Sequence, residues 1–181
     1  MRLLVLAVII ILTFSNVKSQ SLTYNEAIVE YLEINGTEAQ YAQAVDALFT
    51  MLNKRYTNLN IPQETWKELE NTYKEKSLKS IKLLLVTPYR KTFSEDNIKR
   101  MLTFYKSDVG QQMLADPTSL NTEQKAKAGD FYASDAGAKL LENRDSLGKR
   151  VSEVSEIWSR DLYRVVTNDL GNRGFALTGG E

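Results

Sequence analysis

Apolar side chains recur along most of this chain at intervals of three and four, and no stretch alternates apolar with polar residues long enough to suggest a sheet. The pattern predicts a first helix over about Tyr24 to Ile34, with Ala27, Ile28, Tyr31 and Leu32 on one side and Asn35-Gly36 as its left-handed stop. Thr37 is the expected cap of a second helix carrying Tyr41, Ala44, Val45, Leu48, Phe49 and Leu52. Ile61-Pro62 opens a third, long helix, with Trp66, Leu69, Tyr73, Ile81, Leu84 and Leu85 on its inner face, expected to end before Pro88. The cleanest period belongs to the last helix, where Leu147, Val151, Val154, Trp158, Leu162 and Val165 share a face. The expected fold is all-α, a single-domain bundle of six or seven helices joined by short capped corners, spanning about residues 21–168. Beyond Asn168 the chain turns glycine-rich and aperiodic, which predicts a frayed tail over residues 169–181.

Within this pattern lies a repeat. Phe104-Tyr105-Lys106-Ser107-Asp108-Val109-Gly110 aligns with Phe131-Tyr132-Ala133-Ser134-Asp135-Ala136-Gly137 at a constant offset, 131 minus 104, of 27 residues. Upstream, Phe93-Ser94 corresponds to Leu120-Asn121, an apolar residue before a helix cap; downstream, Met113-Leu114 corresponds to Leu140-Leu141. Ser107 and Ser134 are placed to cap a second helix in each unit, with Asp108 and Asp135 at its positive end. Gly110 and Gly137 then fall inside a helix, where glycine costs about 1 kcal/mol relative to alanine. The expected return is close approach of another backbone, or of the preceding Phe-Tyr pair, at a point where a side chain would clash.

At this motif the chain resembles a bacterial exported family known as the domain of unknown function numbered 2059. The resemblance rests on Ile61-Pro62 with Trp66, on Pro88-Tyr89 with Lys91 and Phe93-Ser94, and on Met101 with Phe104-Tyr105, Ser107 and Gly110. It covers roughly residues 24–110 and implies an exported helical domain with no established activity.

Composition narrows the chemistry. The chain contains no histidine and no cysteine, so a Ser-His-Asp triad, a Cys-His pair and a thiolate or histidine metal site are excluded. No glycine-rich loop of phosphate-binding spacing occurs, and the expected catalytic, cofactor-binding and metal-ligand sets are all empty. A carboxylate pair remains chemically open, with Asp108 and Asp135 as its candidates, although first-turn acidic residues beside a cap are the plainer explanation. Met1-Arg2, an apolar run from Leu3 to Leu12 and a polar exit to Ser19 have the layout of a secretory signal cut before Gln20, residues 1–19. Removing Arg2 and Lys18 takes 23 basic residues to 21 against 23 acidic, a net charge of −2, which gives no reason to expect nucleic acid or a membrane partner after cleavage. Lys79, Lys82, Arg90, Lys91, Lys99, Arg100 and Lys106 make the middle locally basic, and interrupting acids make that a solvated face.

These observations lead to a periplasmic or secreted chain. Its expected role is to bind another protein or an apolar ligand in a groove between helices, without catalysis. The competing reading is a carboxylate-dependent hydrolase of cell-wall material. A large apolar groove would favour the binder, and a cleft holding two carboxylates the enzyme.

Overall fold

The computed structural model describes residues 22–177, and the expected signal segment lies outside them. The helices are α1 (Tyr24–Ile34), α2 (Thr37–Arg55), α3 (Gln63–Thr92), α4 (Glu95–Lys106), α5 (Asp108–Ala115), α6 (Thr122–Ala133), α7 (Asp135–Glu142) and α8 (Arg144–Asn172). Short 3-10 turns at Thr57–Leu59 and Pro117–Ser119 complete it, and no strand occurs among the described residues. The all-α bundle is as expected, with eight α-helices among the described residues where six or seven were expected.

Helix α1 lies at the centre and packs on α2, α3 and α4. Its start is a reciprocal cap: the Thr23 hydroxyl accepts from the Glu26 N–H, and the Glu26 carboxylate accepts from the Thr23 N–H at 2.8 Å. Ala27, Ile28, Tyr31 and Leu32, adjacent on one stripe, are fully buried. Gly36 takes a left-handed conformation, φ 88°, as Asn35-Gly36 suggests. The cap of α2 differs from expectation: Gly36 occupies that position, Thr37 is the first helical residue, and the Asn35 side chain accepts from the Thr37 N–H at 3.0 Å. Lys82 of α3 fixes this corner by reaching Glu33 at 2.6 Å and Glu38 at 2.7 Å.

The two longest helices, α3 and α8, lie antiparallel. The Tyr73 hydroxyl donates to Asp169, the Trp158 indole N–H donates to the Ser77 carbonyl at 3.0 Å, and Arg150 donates to the Thr92 hydroxyl. Ile81 and Leu85 from α3 and Leu162, Val166 and Leu170 from α8 belong to the resulting core.

Three sequence expectations need correction here. Helix α3 does not stop before Pro88 but runs through it to Thr92. Proline lacks the N–H that would bond the Leu84 carbonyl, a loss that commonly ends a helix. Val86, Pro88, Tyr89 and Phe93 are all buried at this point, and their packing keeps the helix going. Leu84, expected inside, is 45% exposed, because the stripe that faces the core passes through Ile81, Leu85 and Val86; Ala44 on α2 is likewise exposed.

The third correction concerns the end of the chain. The boundary expected at Asn168 falls inside α8, and Leu170 is fully buried. The Phe175 N–H bonds the Leu170 carbonyl at 2.9 Å, the Gly174 N–H bonds the Gly171 carbonyl at 3.0 Å, and Gly174 has φ 90°. This is a Schellman stop with its apolar contact, Phe175 against the core. The glycines that suggested fraying include the residue that terminates the helix. Residues 178–181 lie outside the described ones.

Both repeat units fold alike. Ser94 and Asn121 form reciprocal caps on α4 and α6 with Asn97 and Gln124. The Ser107 and Ser134 hydroxyls accept from the Gly110 and Gly137 N–H groups at 3.2 and 3.3 Å and donate to the Phe104 and Phe131 carbonyls at 2.6 Å. A Cβ on Gly110 would stand 2.3 Å from the Phe104 carbonyl oxygen, and one on Gly137 2.2 Å from that of Phe131. The close approach to the preceding Phe-Tyr pair is therefore real, and it is backbone that stands in the way. Overpacking of this kind costs about 1–3 kcal/mol, which exceeds the helix-propensity gain of alanine over glycine. Gly110→Ala and Gly137→Ala should each lower the melting temperature, by up to roughly 8 °C at about 2–4 °C per kcal/mol in a chain of this size. Gly148, also inside a helix, has nothing within 4 Å of an added Cβ, so Gly148→Ala should raise it by about 2–4 °C. Thermal denaturation followed by circular dichroism compares the three; equal shifts would contradict the clash.

Candidate functional site

The eight motif residues come together as one structure. The Phe104 and Phe131 rings stack with centroids 3.9 Å apart and planes within 1°. Tyr132 meets Phe104 and Tyr105 meets Phe131 edge-on, each at 6.3 Å. Ser107, Gly110, Ser134 and Gly137 supply the two corners that bring these rings into register. Their serine hydroxyls are spent on backbone, so this part of the motif acts as architecture. Among the eight, Tyr132 faces one cavity, and Phe104, Phe131 and Ser134 line another.

Asp108 and Asp135 begin α5 and α7, the first-turn placement that helix electrostatics favours. Asp135 is further engaged: the Asn97 side-chain N–H donates to it at 2.7 Å and Lys139 lies 3.3 Å away. These two partners, the Asn97 bond foremost, hold its carboxyl below the ordinary carboxylate range. Asn97 itself is buried, and its carbonyl oxygen accepts from the Ser94 backbone and hydroxyl. One side chain thus closes the cap of the first unit and ties it to the second.

The basic middle is largely neutralised by neighbours. Lys82 holds Glu33 and Glu38, Lys99 holds Glu95, Arg100 holds Asp96 and Lys106 holds Glu30. Arg90 lies over the Tyr24 ring, 4.7 Å from its centroid, and donates to Asn25. This matches a solvated face. No group of acidic residues that could hold a metal ion occurs among the described residues, and no helix there is long and apolar enough to cross a membrane.

An open groove of about 500 Å³ lies between α2, α7 and the start of α8. Thr37, Gln40, Tyr41 and Ala44 form the α2 wall, at helical spacings of three and four. Leu140 and Leu141 come from α7, and Arg144, Leu147, Gly148 and Val151 from α8, with Tyr89 and Tyr132 at the base. Tyr89 is nearly enclosed, and burial pushes its hydroxyl up to about 12 even though Thr37 and Asn35 lie beside it. Burial also raises Tyr41, whose hydroxyl is 2.5 Å from that of Ser155, and Tyr105, which has the Tyr132 hydroxyl next to it. The tyrosine hydroxyls are turned to protein partners, so rings form much of the lining. Leu141 stands at the rim 56% exposed.

Sequence reasoning placed Tyr41, Leu147 and Val151 on inner helix faces and Tyr132 in the repeat, with groove lining as a lesser alternative for the aromatic residues, and it passed over Gln40, Tyr89, Arg144 and Gly148 as groove residues. One local signal was present: Arg144, Leu147, Gly148 and Val151 are spaced by threes and fours, mixing apolar residues with an arginine and a glycine. It acquires meaning only once α7 is known to fold back against α4, leaving that stripe uncovered.

Fold and groove together define an all-helical single-domain bundle with an open, largely apolar cleft among its described residues. Residues 79–123 match the family described as an uncharacterized protein conserved in bacteria, the domain of unknown function 2059, as the motif residues suggest. The matched segment takes in Pro88-Tyr89, Phe93-Ser94 and the whole first corner, but not Ile61-Pro62 or Trp66. No curated protein and no solved structure matches the chain.

The Asp135 carboxylate gives a test of the link between the units. Because its folded pKa lies below its unfolded value, its contribution to stability is present above the unfolded pKa and lost as pH falls through the folded one. In Asn97→Ala the Asp135 titration midpoint, followed by carboxyl NMR, should move up toward the ordinary range, and the share of the acid-induced stability loss that Asp135 contributes should shrink with it. An unchanged midpoint would mean that Lys139 alone sets it.

Proposed function

We propose that this is an exported binding protein of the bacterial envelope, acting without catalysis through the groove between α2 and α7–α8. The observation that carries this reading is the groove itself: a preformed, mainly apolar cleft of about 500 Å³, within the usual size range of small-molecule sites, about 300–1,000 Å³. The signal-like layout of residues 1–19 and the bacterial family match over residues 79–123 support the compartment.

The hydrolase reading needs two carboxylates flanking a substrate bond, about 5–9.5 Å apart depending on mechanism. No carboxylate lines the groove, and Asp108 and Asp135 are not among the residues facing it. Asp135 is already bound to Asn97 and Lys139. The groove therefore favours binding over glycan hydrolysis.

Native mass spectrometry of the chain recovered from its own periplasm tests the proposal. The chain should start at Gln20 and carry a non-covalent ligand that is lost on denaturation and absent from Gly148→Trp, whose side chain would fill the groove. A bare chain mass, or a ligand retained by that variant, would overturn the groove as the binding surface.

A further inference from the structure

We infer that the groove takes an anionic single-chain amphiphile, with its charged head at Arg144 and its alkyl chain laid along Leu140, Leu147 and Val151; this rests on the groove being the binding surface. Arg144 is the one ionised side chain in the lining, and it makes no ion pair among the described residues, not with its neighbours Glu142 or Asp145. A guanidinium at the edge of an apolar cleft is a bidentate donor suited to a carboxylate or a phosphate ester.

The surroundings add to that preference. Arg144 is the first residue of α8, and the preceding Asn143 does not cap the helix with its side chain, which donates to the Lys139 carbonyl at 2.9 Å instead. The first N–H groups of this 29-residue helix, at its positive end beside Arg144, thus have no side-chain cap. Away from this end Thr37 and Gln40 add only uncharged polar groups, and the Tyr41 hydroxyl is engaged with Ser155 and that of Tyr132 with Met113. The lining therefore has one cationic side chain and an uncharged, mainly aliphatic and aromatic remainder, which is the polarity of an amphiphile. Its size favours a single chain over a docked protein, since a standard protein interface buries about 800 Å² on each partner. Exposed Leu141 at the rim would be covered by the same chain.

The test compares two probes of equal chain length and opposite charge, dodecanoate and dodecyltrimethylammonium. Both are titrated below their micellar concentrations into the mature chain by isothermal titration calorimetry. One dodecanoate per chain should bind in preference to the cation. Arg144→Glu should weaken dodecanoate at least tenfold and favour the cation, and Gly148→Trp should abolish binding of both without lowering the melting temperature. If both probes bind alike, Arg144→Glu changes nothing and Gly148→Trp removes both, the anionic assignment falls while the groove reading stands. If neither probe binds while the periplasmic chain still carries a mass that Gly148→Trp removes, the amphiphile assignment falls alone. Dodecanoate binding that survives Gly148→Trp would place the ligand elsewhere and sink both.

Discussion

The tight corner at Gly110 and its counterpart at Gly137 is the constraint on which the rest of the molecule depends. At each, a helix begins so close to the end of the preceding one that a single added carbon would sit 2.2–2.3 Å from a carbonyl oxygen. That approach lets a serine hydroxyl serve both sides of the corner at once, accepting from the new helix and donating to the old. It also fixes where each Phe-Tyr pair points. Phe104 can stack flat on Phe131 only because the two corners turn by the same amount, and that stack places α7 against α4. The position of α7 then sets one wall of the groove. Backbone geometry at two glycines thus propagates through an aromatic stack to the shape of the cavity.

Much of this was legible in the sequence because it is local chemistry. A cap needs a particular side chain at a particular step, so Ser94, Ser107, Asn121 and Ser134 could be assigned from spacing alone. The glycine within a helix was informative for the same reason, since it carries a local cost that only a contact could offset. What sequence reasoning misjudged was decided by partners distant along the chain. Pro88 reads as a stop, yet α3 continues because Tyr89 and its neighbours are buried beneath α1 and α2. Leu84 has the period of a core residue, but no helix covers its side. Gly174 looked like a loosened end because the Schellman pattern requires Leu170 to have a buried place, and burial is not written in the last dozen residues.

The candidate site was less legible than the fold. A groove is a region that helices leave uncovered, and apolar periodicity records what is covered. Tyr41 and Val151 are compatible with either outcome, and only the placement of α7 decides between them. Arg144 by itself is ordinary, one arginine at a helix start; its meaning comes from being the single charged side chain in the lining of the groove.

The buried Asn97 has a consequence of another kind. Two units built on the same corner motif, joined in tandem, could exchange places or pair with the matching unit of another molecule, since each presents the same rings and the same corner. Gln124, which occupies the equivalent position in the second unit, caps its own helix and makes no such bridge. The Asn97 contact to Asp135 runs in one direction only, from first unit to second. It works as a key that gives interchangeable parts an order, and a buried polar group that makes a unique pairing is a recognised means of choosing one arrangement among near-equals.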